Sequence, residues 1–145
     1  MIDMIKLWFS RALPEISDRK LDLQVGVHFE EVGEMLETIK GRDSTTDMQI
    51  GLAQDIMKTL ATRLKSGEGS MVIANRKGFL DALCDQIVTA TGCGHVAKMD
   101  VVEGISRVNK SNFSKFDEDG FPVFDANGKI AKGPNYKKPN LEGLY

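Results

Sequence analysis

Apolar residues recur at helical spacing along most of the chain and predict four or five helices within the first 115 residues. The second helix carries a clear apolar stripe that ends at Gly41, and Gly92 and Gly94 are expected to open a turn between the last two helices. The predicted helices cover residues 1–13, 21–40, a third between possible caps at 44–46 and a break at 66–69, then about 74–91 and 95–109. This pattern is typical of an all-α helical bundle.

Beyond residue 116 the helical pattern stops. Two short apolar stretches, 121–124 and 129–130, flank Asn127-Gly128, a dipeptide that favours a two-residue β-hairpin turn. The last stretch, 132–145, is rich in Pro, Gly and Lys and is expected to lie extended across a neighbouring surface. The sequence thus predicts one domain over residues 1–145, with a helical portion to about 115 and a hairpin and tail after it.

Composition narrows the possible partners. The 145 residues are 41% hydrophobic and 28% charged, as in an ordinary globular protein, and the net charge of −2 argues against a large nucleic-acid or membrane surface. No apolar run approaches the roughly 20 residues that cross a bilayer, and the N-terminus lacks secretory features. A cytoplasmic location is therefore expected. Cys84 and Cys93 are interpreted as two buried free thiols, although a disulfide between them stays open.

Acidic residues cluster on the second predicted helix. At about 100° per residue, Glu31 and Glu34 point about 60° apart, with Glu30 about 40° beyond Glu34. Glu31 lies at the border of the apolar stripe and not at the centre of the solvent face. The alternative interpretation is a charged outer face, which is common on helices.

The fourth predicted helix carries a second acidic pair. Its apolar residues cover well over half of its circumference, so we expect it at the centre of the bundle. Asp81 and Asp85 nonetheless lie on one line along this helix. Two carboxylates there would repel each other and would be costly to bury unless a cation lay between them and the glutamates of the second helix. The alternative is that this line is the single solvent-exposed edge of the helix.

Two facing acidic pairs would form a site with oxygen ligands only. Mg²⁺ or Mn²⁺ prefers such ligands and retains water molecules that substrate phosphates can replace. A metal in that position could neutralise a polyphosphate and lower the pKa of an attacking water, while Glu30 acts as general base or positions that water. The pattern therefore indicates phosphoanhydride hydrolysis.

These segments resemble a known superfamily. Residues 24–34 are similar to the E-E-x-x-E helix of the MazG-like, all-α nucleoside triphosphate pyrophosphohydrolases, which also include phosphoribosyl-ATP pyrophosphohydrolase and the dimeric dUTPases. Residues 80–85 resemble the second acidic helix of that superfamily, and segments 109–115, 128–129 and 132–136 resemble the closing portion of a short phage-type branch. In the family the second acidic pair is usually Glu and Asp three residues apart, whereas here it is Asp81 and Asp85, four apart.

The resemblance implies a homodimer or homotetramer. Its reaction would be hydrolysis of nucleoside triphosphates, with ribose or deoxyribose as the sugar, to the monophosphate and pyrophosphate. The implied roles are Mg²⁺ binding by the two acidic pairs, activation of water by one glutamate, and substrate binding by polar residues and one aromatic residue. The metal ligands would be Glu31, Glu34, Asp85 and Asp81, the water-activating residue Glu30, and the substrate contacts Asn109, Lys110, Asn112, Lys115, Gln24 and Trp8.

Alternatives remain for the substrate, for these residues and for the whole protein. Phosphoribosyl-ATP is an alternative substrate on the same fold. The polar residues at 109–115 are equally typical of an ordinary helix C-terminal cap, and packing or capping roles are the alternative for Gln24 and Trp8. A non-catalytic helical oligomeric adaptor is the alternative for the chain as a whole.

Overall fold

The computed structural model describes residues 1–125 and 130–145. Among these residues the regular elements are five α-helices, which confirms the predicted all-α class. The helices are α1 (Ile2–Ala12), α2 (Asp18–Glu37), α3 (Ser44–Ser66), α4 (Arg76–Val96) and α5 (Val101–Phe113). The chain forms two compact units, one made of residues 15–74 and the other of 1–14 with 75–145. None of the described helices is long and apolar enough to span a membrane.

Side-chain caps set the boundaries of α2 and α3. The Ser17 side chain accepts a hydrogen bond from the Lys20 amide at the start of α2, and Asp43 accepts one from the Thr46 amide at 2.9 Å at the start of α3. The cap of α3 thus lies one residue before the predicted 44–46 segment, because a carboxylate satisfies the free amides of the first turn as well as a hydroxyl does. Helix α3 ends where predicted, at Gly67, whose φ of 86° is left-handed and suits glycine.

The predicted turn at Gly92 and Gly94 is wrong, because α4 continues through both to Val96. A Cβ atom at the buried Gly94 would lie 2.0 Å from Cγ2 of Val101, so this glycine permits close packing against the start of α5. The chain turns instead at Lys98, whose φ is 63°. Consequently α5 begins later than expected.

The expectation that α4 is central is also wrong for the single chain. Leu80, Ile87 and Val88 are 64%, 50% and 68% exposed, respectively. Cys84 and Cys93 are free thiols, as predicted, but both are exposed and not buried. Both corrections have the same cause: the apolar face of α4 is exposed within its own compact unit.

An aromatic cluster packs α1 against the end of α5 within one unit. Trp8 and Phe116 are stacked with ring centroids 5.8 Å apart, and the fully buried Ala12 completes the centre. The indole Nε1 of Trp8 donates a 2.9 Å hydrogen bond to the carbonyl of Asn112. The half-buried residues packed around this centre are Phe9, Leu13, Phe113 and Ile130.

The predicted C-terminal hairpin is not supported by the described residues. They show two isolated antiparallel bridges, Phe116 with Pro122 and Phe124 with Ile130, and no strand. Pro122 has no amide hydrogen, so a ladder cannot continue through it. The predicted turn at Asn127-Gly128 lies outside the described residues.

The C-terminal tail runs along α5 of its own chain. The Ser111 hydroxyl donates to the carbonyl of Lys137 at 2.7 Å, and the amide of Lys137 donates back to the Ser114 hydroxyl at 2.8 Å. Further on, Arg107 donates to the carbonyls of Asn140 and Glu142. The predicted extended tail is therefore fixed by hydrogen bonds between its own backbone and the side chains of α5 and its C-terminal cap.

Candidate functional site

Small residues bring α2 and α3 close together. A Cβ atom at Gly26 would lie 2.9 Å from the Lys65 side chain and 3.1 Å from both the Ala61 carbonyl oxygen and Leu64. Gly33 lies about two turns further along the same face of α2. Its Cβ atom would lie 3.5 Å from the Lys58 side chain. Without side chains of their own, the two glycines let longer side chains from both helices meet beside them.

A polar cleft of about 270 Å³ lies along this contact. Three glutamates from successive turns of α2, Glu30, Glu34 and Glu37, line one wall. The spacing of four and then three residues places all three on one side of the helix. The other wall comes from α3 and is lined by Lys58, Ala61, Thr62 and Lys65.

Lysines from α3 neutralise two of these three carboxylates. Lys65 Nζ lies 2.5 Å from Glu30 Oε1, and both side chains are about one quarter to one third exposed. Lys58 pairs with Glu37, which also accepts a 3.0 Å hydrogen bond from Gln54. Glu34 lies between these two pairs and contributes to the negative field around Lys58. The cleft therefore holds one more carboxylate than ammonium group.

The Glu37–Lys58 pair shifts the titration of both partners. The hydrogen bond and the charge of Lys58 hold the pKa of the Glu37 carboxyl below its ordinary value. The Glu37 hydrogen bond raises the pKa of Lys58, and the charges of Glu37, Asp55 and Glu34 raise it further. Both groups consequently stay charged over a wider pH range than they would alone.

The predicted glutamates of α2 do not all point toward the cleft. Glu30 and Glu34 face the cleft, whereas Glu31 is exposed and is not among the lining residues. The structure therefore joins Glu34 to Glu30 and Glu37, and not to Glu31.

The predicted aspartates of α4 belong to the other compact unit. Asp81 and Asp85 are both exposed and lie one turn apart on the helix. Within each unit the described residues contain no group of three or more His, Cys, Asp and Glu placed to hold a metal ion. The metal site made by the two acidic pairs stays a prediction.

Two of the predicted substrate residues line a pocket beside α5. Asn109 and Asn112 border a pocket of about 410 Å³ whose other walls are mainly apolar. Those walls are Ile5 of α1, Val101, Gly104, Ile105 and Val108 of α5, and Leu141 of the tail. The pocket thus combines apolar walls with amides that can both donate and accept.

The remaining predicted substrate residues are dispersed. Lys115 Nζ lies 5.9 Å from the Trp8 ring centroid, in cation–π range, and Lys110 is exposed on α5. Gln24 is half-buried on α2, in the other compact unit. Trp8 is buried in the aromatic cluster, so its role in the described structure is packing.

Sequence reasoning missed the partners of the α2 glutamates. Glu37 could have been found, because it continues the line of Glu30 and Glu34 at a helical spacing. Lys58 and Lys65 carry no such signal, since their position depends on how α3 packs against α2.

No family model, curated protein or solved structure matches this chain. The likeness to the MazG-like enzymes therefore rests on the residues and spacings of the sequence itself.

Proposed function

We propose that the protein is a Mg²⁺-dependent nucleoside triphosphate pyrophosphohydrolase that releases pyrophosphate and a nucleoside monophosphate. The observation that carries this proposal is the cleft of α2 and α3, where Glu30, Glu34 and Glu37 face two lysines. A polar, concave surface with more carboxylates than counter-charges is suited to binding a divalent cation together with an anionic substrate.

The charge of the cleft makes a cation necessary for this function. Three carboxylates against two ammonium groups leave a net negative cleft, which would repel a triphosphate. The donor atoms are carboxylate oxygens, which suit Mg²⁺ or Mn²⁺. When bound, the ion would offset substrate charge and lower the pKa of the attacking water. Glu34 would hold it from the cleft. Glu31, Asp81 and Asp85 stay the further ligands that the resemblance implies.

Glu30 and Lys65 have complementary tasks in this proposal. Lys65 holds the Glu30 carboxylate in place by an ion pair, and a carboxylate is the group that accepts a proton from water. If the Lys65 ammonium group shifts toward a substrate phosphate, Glu30 is released to take that proton.

The pocket beside α5 supports the substrate contacts that the resemblance implies. Asn109 and Asn112 present carboxamides to the pocket, and Lys110 and Lys115 extend the same helical end with positive charge. We propose that these four residues contact the substrate, with Gln24 as a further contact, and that the enzyme works as a homodimer or homotetramer.

A non-catalytic adaptor is the second candidate, and one observation favours it. The pairs Glu30–Lys65 and Glu37–Lys58 give two of the three carboxylates a structural role in joining α2 to α3. In that case the glutamates stabilise the helix pair, and neither metal nor nucleotide binds.

The test is a substrate panel with pyrophosphate detection. We expect Mg²⁺-dependent pyrophosphate release from one or more of dUTP, dCTP, dATP, dGTP and phosphoribosyl-ATP, and loss of release in Glu34→Ala and Asp85→Ala. Glu118→Ala, an exposed carboxylate remote in sequence, is the matched control and should keep wild-type activity.

Two results would contradict the proposal. One is the absence of pyrophosphate release from every substrate with either Mg²⁺ or Mn²⁺. The other is equal activity in wild type and Glu34→Ala, which would favour the adaptor.

A further inference from the structure

Helix α3 exposes a continuous apolar ridge on the side away from α2. Met48, Leu52, Ile56 and Leu60 follow one another at intervals of four residues and are 60%, 55%, 62% and 39% exposed. Residues at this interval form one ridge along a helix surface. Leu52 lies about 180° around the helix from Ala61, which faces α2, so the helix pair itself leaves the ridge uncovered.

The size of the ridge indicates a protein partner. Its four side chains expose roughly 400 Å² of apolar surface, comparable with the largest apolar patch of a typical monomer. That area is about half of what one partner contributes to a stable interface of standard size, and polar residues at the rim normally add the remainder. It can therefore form the centre of an interface.

The ridge is complementary to itself in an antiparallel arrangement. Two copies of α3 can cross at a twofold axis that passes between Leu52 and Ile56. Leu52 of each copy then contacts Ile56 of the other copy. Met48 then meets Leu60 in the same way. The contact is isologous, as in most homodimers.

The charges at the ends of α3 favour the same arrangement. The first turn and its cap are acidic, with Asp43 and Asp47, and the last turn is basic through Arg63, since Lys65 is paired with Glu30 of α2. Antiparallel pairing brings the acidic end of one helix near the basic end of the other and opposes the two helix dipoles. A parallel pairing would place like charges together.

We infer that the α3 ridge is the contact surface for a second copy of this chain, with the two α3 helices antiparallel and packed ridge against ridge. This inference does not depend on catalysis. It assigns residues 48–60 to a homodimer interface and Leu52 and Ile56 to its centre.

The first test measures the molar mass in solution by light scattering and sedimentation. We expect twice the chain mass of 16.0 kDa for the wild type at micromolar concentrations. Leu52→Asp and Ile56→Asp should raise the dissociation constant by more than about tenfold, because each puts a charge into a dry contact. Val72→Asp is the matched control: Val72 is 86% exposed in the same unit but off the ridge, and the dimer should persist.

The second test fixes the orientation and uses variants that keep the helix intact. Cys84 and Cys93 are replaced by Ser, and Met48→Cys and Leu60→Cys chains are mixed and treated with a short thiol crosslinker. We expect the product that joins position 48 of one chain to position 60 of the other to exceed both the 48–48 and the 60–60 products.

Three results would overturn the inference. The first is a monomeric wild type, which would leave the ridge to a different partner. The second is a dimer that survives both aspartate substitutions. The third is preferential crosslinking of position 48 to position 48 of the second copy. Circular dichroism of each variant checks that the helices form, and the crosslinking result decides the matter if an aspartate variant unfolds.

Discussion

The aromatic cluster of α1 and α5 and the helix pair α2–α3 hold their helices together in different ways. The cluster buries large rings around Trp8, Ala12 and Phe116 and is closed further by the hydrogen-bonded tail. The helix pair meets along glycines and two ion pairs, while its longest apolar ridge faces outward. The first arrangement resembles a protein interior, and the second leaves both a charged cleft and an apolar surface for other molecules.

Removing the central ring of the cluster should have the largest effect on stability. Phe116 is 3% exposed, so Phe116→Ala creates a cavity and should cost about 3–5 kcal/mol of unfolding free energy. Urea unfolding followed by Trp8 fluorescence measures this, because the single tryptophan stacks on Phe116. Phe121→Ala is the control: Phe121 is 66% exposed, and its removal should cost less than about 0.5 kcal/mol. Equal losses for the two variants would contradict the assignment of the core.

Adding one methyl group at the α2–α3 contact should have an intermediate effect. In Gly26→Ala the new Cβ atom would press on the Ala61 carbonyl and on Leu64, which should cost about 1–3 kcal/mol despite the better helix propensity of alanine.

Gly51→Ala is the matched control for this substitution. Nothing lies within 4 Å of a Cβ atom at Gly51, so thermal unfolding should show a gain of about 0.5–1 kcal/mol. If both alanines stabilise the protein, α2 and α3 are not in close contact at Gly26.

Breaking the exposed Glu37–Lys58 pair should have the smallest effect, visible mainly in its pH dependence. Because the pKa of Glu37 is lowered, its stabilising contribution is present above its ordinary pKa of 4.5 and is lost as pH falls through the lowered value. Because the pKa of Lys58 is raised, its contribution is present below 10.5 and is lost as pH rises through the raised value.

In wild type, protonation of Glu37 lowers the melting temperature as pH falls. Lys58→Gln should therefore make the melting temperature depend less on pH in this acid range. Lys40→Gln is the control: Lys40 is an exposed lysine in the connection between α2 and α3, and this variant should keep the wild-type profile. An unchanged pH dependence in Lys58→Gln would mean that the pair does not form in solution.

Local sequence signals predicted part of this fold. Five helices and the glycine stop at Gly67 follow from spacing and turn chemistry alone. The break at Gly92 and Gly94 could not be judged locally, because Gly94 is there to admit Val101 from the next helix. A glycine that ends a helix and one that allows close packing look the same in a sequence.

The candidate site was predictable only in its acidic half. Glu30 and Glu34 share a helical side by spacing, but their lysine partners come from a different helix whose rotation the sequence does not specify. The apolar residues of α4 were expected to face inward, and they are exposed, because a periodicity pattern does not show which elements pack against a helix face.

Pyrophosphate release by wild type and Glu34→Gln, each with and without Mg²⁺, decides whether the protein is a Mg²⁺-dependent pyrophosphohydrolase. Glutamine keeps the size and shape of Glu34 and removes only its charge, so folding should be unaffected. The account predicts release by the wild type with Mg²⁺ and none in the other three combinations. Release by Glu34→Gln at the wild-type rate, or by the wild type in the presence of chelator, would contradict it.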